Sequence, residues 1–241
     1  MKILIMLLFL LGILPVYGVE DLMSLDYKNG IYYITGEEGK VPYDGSVKSY
    51  YPDGKVRVEG MMRAGKKEGQ WISYYDDGTP MSRGLYLQGK RTGLWEEYYN
   101  NGNIKDETNY REGFSNGPSI TYFENGEIAT EAGYEDGVLN GSWKKCYPNR
   151  KTKESGTFLS GMPISLWFTY DYRGKMESTG KYLLGYKVGY WQNDIYFYRP
   201  RLTASGSYRN GKRDGVWIDD TTGKEALYKY GVFIGGERLE E

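Results

Sequence analysis

The stretch GQWISYYDDG occupies residues 69–78, and GLWEEYYNNG follows at 93–102. The second begins 24 residues after the first, and the spacing continues in both directions. Equivalent starts fall at Gly45, Gly69, Gly93, Gly117, Gly141, Ser165, Gly189 and Gly215. Six successive intervals are 24 residues and the last is 26. Two positions into these units stand Trp71, Trp95, Trp143, Trp167, Trp191 and Trp217, which are all 6 tryptophans of the chain. Val47 and Ser119 complete the column. A fixed period of this kind marks a repeat architecture, in which each unit buries its apolar surface against its neighbours.

Other columns give the unit its internal plan. Five positions in are Tyr50, Tyr74, Tyr98, Tyr122 and Tyr170, with Cys146 standing in once. Nine positions in are Gly54, Gly78, Gly102, Gly126 and Gly174, the first four preceded by Asp53, Asp77, Asn101 and Asn125. Asp-Gly and Asn-Gly signal a two-residue type I′ hairpin, whose central residues both need positive φ. Twenty positions in are Gly65, Gly89, Gly113, Gly137, Gly161 and Gly185, and Gly211 continues the column after a two-residue insertion near Tyr196–Leu202.

Each unit therefore reads strand, tight turn, strand, short turn. A two-residue turn at Asp77-Gly78 sets Trp71 opposite Gly84, and the equivalent turn sets Trp143 opposite Gly156. Large aromatics covering cross-strand glycines pin strand register. The same arithmetic sets Tyr75 opposite Pro80, Tyr99 opposite Ile104 and Phe123 opposite Ile128. Strand alternation puts Tyr86, Tyr110, Tyr134, Phe158, Tyr182 and Tyr208 on the tryptophan face and the Tyr74 column on the other. The expected fold is all-β: an elongated antiparallel β-meander of about eight 24-residue hairpin repeats in a single layer. At about 4.8 Å per strand it would run roughly 75–80 Å. The expected boundaries are a signal peptide over 1–18, lead-in strands over 19–44, the array over 45–236 and a tail over 237–241.

Composition narrows the chemistry. Gly is 34 of 241 residues and Tyr is 26, a mixture that suits short strands punctuated by turns. The formal charge of −1 gives no broad attraction to nucleic acid. Histidine is absent, which removes Ser-His-Asp triads, Cys-His pairs and His-ligated metals. The single Cys146 allows neither an internal disulfide nor a multi-cysteine metal site, and it reads as a packing residue, with an intermolecular disulfide as the alternative. No catalytic, cofactor-binding or metal site is expected. The carboxylates Asp53, Asp76 and Asp77 fall in turns, and Glu96 and Glu97 point to opposite faces of a strand.

The N-terminus reads MKILIMLLFLLGILPVYG, with Lys2 before a short apolar run and Val16 and Gly18 at the −3 and −1 positions of a cleavage site. This is the plan of an exported chain, periplasmic or secreted, with a retained N-terminal anchor as the alternative.

The columns G-x-W-x-x-Y-Y-x-x-G and G-x-Y-x-x-G resemble the MORN-repeat variant of bacterial proteins, and NGIYYITGEEGKVPYDGSVKSYYPDGK at 29–55 looks like the opening of its members. The resemblance covers roughly residues 27–236 and implies a non-enzymatic repeat scaffold. It also implies two roles known among members and related arrays: an antitoxin or immunity-like protein that neutralises a toxin by binding it, and association with membranes or other proteins. Ser119, Arg150 and Ser165 depart from the pattern, and DDTTGKEALYKYGVFIGG at 219–236 is degenerate, as a terminal cap should be.

Two surfaces are candidates for recognition. The tryptophan row reads first as packing and second as a stacking platform for an envelope glycan or lipid. The turns between units carry Lys66, Lys90 and Lys212 at three tips but Phe114, Val138, Met162 and Tyr186 at the middle four, with Leu139 and Ile164 alongside. Turn tips are normally polar, so this apolar row is the expected protein-binding site, with a membrane surface or cell-wall glycan as the other partner classes.

Overall fold

The computed structural model describes residues 17–36, 39–195 and 203–237. The predicted leader up to residue 16, the insertion at 196–202 and the tail from 238 lie outside the described residues. What is described is nearly all β, and the chain divides into two compact units at Asn116/Gly117.

In the first unit the strands Gly45–Tyr50, Val56–Arg63, Lys66–Tyr74, Pro80–Leu87, Lys90–Tyr98 and Ile104–Arg111 each pair antiparallel with the next. Tyr17–Asp21 pairs parallel with Gly45–Tyr50, so the predicted cleavage position after Gly18 falls inside a strand. The lead-in does more than precede the array. Asp26–Lys28, Ile31–Gly36 and Gly39–Pro42 form a separate three-stranded sheet. Its Tyr32 and Ile34 pack with Leu22 against Leu25, Tyr43, Val47, Met62, Trp71 and Trp95. The array is the expected long antiparallel sheet; in the first unit the lead-in adds a second layer on the side of Val47, Trp71 and Trp95 and closes a core there. Tyr43 anchors it, fully buried, with its hydroxyl donating to the Ser46 carbonyl at 2.9 Å.

The second unit continues the meander from Ile128–Glu135 to Val232–Gly236, each strand antiparallel to the one before it. The degenerate last hairpin closes on a small core of Ala204, Trp217, Ala226 and Tyr228. Its turn is held by Asp219, whose carboxylate accepts the N–H groups of Thr221 and Thr222, each at 2.8 Å.

The two kinds of turn are exchanged relative to the sequence reading. Asp77-Gly78 is not a type I′ pair: Gly78 has φ +92°, while Asp77 does not enter the left-handed region. Tyr75 O accepts from Gly78 N at 3.0 Å, and Tyr75 N donates to Thr79 O at 2.8 Å. This is a type I turn closed by a left-handed glycine. The aspartate is there for its side chain, which accepts the Thr79 N–H at 2.8 Å; Asp53, Asn101 and Asn125 repeat the contact with Lys55, Asn103 and Glu127. Arg150 takes the place of the glycine in the same geometry at φ +70°.

The longer turn shifts the hairpin ends. Tyr74, Tyr98 and Tyr122, not Tyr75, Tyr99 and Phe123, stand opposite Pro80, Ile104 and Ile128. One bulged residue after each proline or isoleucine then restores the expected register, so Trp71 does face Gly84 and Trp143 does face Gly156.

The type I′ turns lie between units. Ala64-Gly65, Gln88-Gly89, Glu112-Gly113 and Leu184-Gly185 have positive φ at both positions. Ala, Gln and Leu give no sequence signal for this. A side chain from the preceding unit assists several of them. Asp44 accepts the Ala64 N–H and Glu68 that of Gln88, both at 2.8 Å.

The unit-start glycines have a third role. Pairing runs Leu85↔Thr92 and resumes at Arg83↔Glu96, a slip of two residues around Gly93, whose φ is +65°. These glycines mark bulges that let successive hairpins re-register. Ser165 occupies one such position at φ +61°. Ser165→Gly should therefore raise stability by about 1 kcal/mol in denaturant melts, the left-handed cost of a side chain less the backbone entropy of glycine. Gly89→Ala at φ +83° should lower it by about 1–2 kcal/mol.

Candidate functional site

The two sheet faces differ in what they leave open. On the tryptophan face, Trp71, Trp95, Trp167, Trp191 and Trp217 are 0–5% exposed. Each ring lies on a glycine of the preceding strand: a Cβ on Gly60, Gly84, Gly156, Gly180 or Gly206 would come within 2.5 Å of it. Four indoles also donate Nε1 to the carbonyl after that glycine, Trp71 to Met61 at 3.1 Å and Trp95 to Leu85 at 3.0 Å, with Trp191 and Trp217 bonding Lys181 and Ser207 likewise. The Tyr86 column sits edge-on between them, Tyr86 lying 5.8 Å from Trp71 and 5.1 Å from Trp95. These five rings are packing residues and present no open face to a sugar. Trp143 differs. It is half-buried, and Ala132, not glycine, stands across from it on the preceding strand.

Cys146 is buried, and burial pushes its thiol above the ordinary range, which suits the packing role.

The opposite face carries the candidate row. Within the second unit Val138, Met162 and Tyr186 are 46%, 41% and 59% exposed. They neither project freely nor fold back over the sheet; each lies along the glycine of the next tip. A Cβ on Gly161 would meet Val138 Cγ1 at 3.2 Å, one on Gly185 would meet Met162 Cβ at 3.9 Å, and one on Gly211 would meet Tyr186 Cδ1 at 3.3 Å. The tips are also joined by backbone, Gly161 N donating to Leu139 O at 2.8 Å and Gly185 N to Pro163 O at 3.0 Å. Phe114, in the first unit, is 60% exposed.

The two flanking candidates separate. Ile164 pairs with Thr157 on the row's face, but Leu139 pairs with Tyr134 and belongs to the tryptophan face. Two residues absent from the sequence reading join the row instead. Leu159 pairs with Met162 and Leu183 with Tyr186 across the type I′ turns, and both are exposed. A two-residue turn at Ser160-Gly161 and Leu184-Gly185 would have placed them there; the sequence put that turn type elsewhere.

Charged groups on this face are tied to one another. Lys48 and Glu59 pair at 2.9 Å, Lys144 and Glu131 at 2.8 Å, and Arg83 holds Glu96 with two donors. The Tyr74 hydroxyl donates to Glu59 Oε1 at 2.6 Å. Tyr74 and then Lys48 hold the Glu59 carboxyl below its ordinary range. Burial, then the bond to Glu59, pushes the Tyr74 phenol up to about 12. Within the second unit the apolar row shares its face with the Lys144–Glu131 pair.

A chain of consecutive hairpins, each packed by one aromatic column on its neighbour, is a β-hairpin repeat protein. The model of the MORN repeat variant family matches four consecutive segments, residues 43–63, 67–88, 91–112 and 115–137. Those segments are similar to MORN-variant repeats, and the units from Gly141 onward keep the same tryptophan column. No curated protein matches the sequence.

A raised phenol favours the fold below the unfolded pKa near 10 and loses that contribution as pH rises through about 12. In a spectrophotometric titration, the wild type minus Tyr74→Phe difference curve should show one phenol ionising near pH 12. Glu59→Gln should move that step toward 10.

Proposed function

We propose that this chain is a non-enzymatic repeat scaffold for binding, as its match to MORN repeats supports, and that it recognises a partner protein through the row Val138, Met162 and Tyr186, with Leu159 and Leu183 beside it. One observation carries the reading. At the same tip position Lys66, Lys90 and Lys212 lie against the next glycine, while three consecutive tips of the second unit offer apolar surface to solvent. Successive tips stand about 9.6 Å apart, so a partner meets a line of anchors on a preorganised backbone. Contiguous exposed apolar surface of this kind marks interaction sites in folded proteins. The leader-like sequence supports action in the cell envelope or outside the cell.

The test is capture from envelope and secreted fractions of the source organism, using tagged chain and a Val138→Lys/Met162→Lys/Tyr186→Lys variant. The wild type should retain one protein in stoichiometric amount. The variant should lose it at least tenfold with its circular dichroism and melting unchanged. Equal retention by a folded variant would overturn the assignment.

A further inference from the structure

The apolar row is the rim of a broader patch. Leu166, Tyr190 and Val216 each stand one position after the start of a unit and are 55%, 61% and 49% exposed. They lie on the row's face, because the residues that follow them, Trp167, Trp191 and Trp217, turn to the other. Half-buried Ile164 links Met162 to Leu166 along one strand, and half-buried Val188 links Tyr186 to Tyr190 along another. Apolar surface therefore runs inward from the tips to the middle of the sheet.

One charge sits inside it. Lys181, on the strand between those two, pairs with Leu166 on one side and Val188 on the other and is exposed. Gly180 before it lies under the Trp191 ring, so the lysine belongs to the row's face. Equivalent positions of the repeat hold Met61, Leu85, Asn109, Gly133, Thr157 and Ser207, none of them charged. Lys181 also departs from the paired charges of this face. Lys144 is held by Glu131 at 2.8 Å and Arg209 by Asp214 at 3.0 Å, whereas among the described residues the Lys181 ammonium has no hydrogen bond or ion pair.

We infer that the partner segment seated on this patch carries a carboxylate, aspartate or glutamate, between apolar side chains, and that this carboxylate pairs with Lys181. The inference rests on the partner-binding reading of the row. A partner that covers Met162, Leu166, Tyr186 and Tyr190 also covers the lysine among them. An ammonium taken out of water with no counter-charge is strongly unfavourable, so the cover must supply one. A second copy of this chain packed symmetrically about the site would set ammonium against ammonium. Apolar groups surround the lysine on one face, so the counter-charge must arrive with apolar neighbours, as a side chain within a polypeptide segment does. Apolar contact then supplies affinity, and the covered ion pair discriminates among partners.

Fluorescence anisotropy of the whole chain with three labelled nonapeptides tests it. Each alternates leucine and serine, with glutamate, glutamine or lysine at the centre. The wild type should bind the glutamate peptide about tenfold more tightly than the glutamine peptide. Lys181→Gln, folded by circular dichroism, should bind those two alike, and Lys181→Glu should prefer the lysine peptide. Met162→Ala/Tyr186→Ala should weaken all three peptides together, which reads the row separately from the lysine. Equal binding of the glutamate and glutamine peptides by the wild type, an unchanged preference in Lys181→Gln, or no binding of any peptide overturns the inference. Tighter binding to phosphatidylglycerol vesicles than to the glutamate peptide, lost in Lys181→Gln, overturns it in favour of an anionic membrane surface.

Discussion

A tryptophan laid flat on the glycine of the preceding strand is the contact on which this architecture depends. A meander has no closed interior of its own, so each hairpin must find its apolar contact on its neighbour. An indole buries about 150–250 Å², worth on the order of 4–6 kcal/mol at about 25 cal/mol per Å² as an upper value. That yield is available only if the residue beneath has no Cβ, and the distances at Gly60, Gly84, Gly156, Gly180 and Gly206 leave no room for one. The Nε1 bond to the next carbonyl fixes which way the ring lies. The unit-start glycine then supplies the bulge that lets the next hairpin repeat the arrangement.

Much of this was legible from the columns alone. The period, the strand order and the Trp–Gly pairing in mid-strand follow from Gly, Trp and Tyr spacing. The turn types were misread for a physical reason. Asp-Gly and Asn-Gly serve two turns equally well, because the left-handed preference of Asn and Asp and their side-chain acceptor are separate properties. Here the acceptor decides. The type I′ turns take Ala64, Gln88 and Leu184 because strand twist and bonds from Asp44 and Glu68 act there. Hidden in the same way was the direction of tryptophan packing: pairing shows that Trp71 faces Gly84, but its ring covers Gly60.

The lead-in sheet was out of reach of a repeat argument. Tyr32 and Ile34 belong to no column, and their packing on the cluster that holds Trp71 and Trp95 is a contact between non-repeating and repeating sequence. The candidate row was half legible. Val138, Met162 and Tyr186 stood out as apolar tips, yet Leu159 and Leu183 needed the true turn register to join them, and Leu139 needed it to leave. Departures from the consensus carry the individuality of this chain. Three consecutive lysine-type tips become apolar at Val138, Met162 and Tyr186, while Trp143, Trp167, Trp191 and Trp217 keep the packing column.

The most direct test of the central contact is a double-mutant cycle on Gly84 and Trp95, read by equilibrium denaturation. Gly84→Ala should cost about 1–3 kcal/mol when the indole lies on that position. In a Trp95→Leu background the added methyl should be nearly neutral or slightly stabilising, because glycine in a strand is itself unfavourable. The predicted result is therefore a coupling of at least about 1 kcal/mol. An identical Gly84→Ala cost in both backgrounds would contradict the account, since the ring would then not be what excludes the side chain.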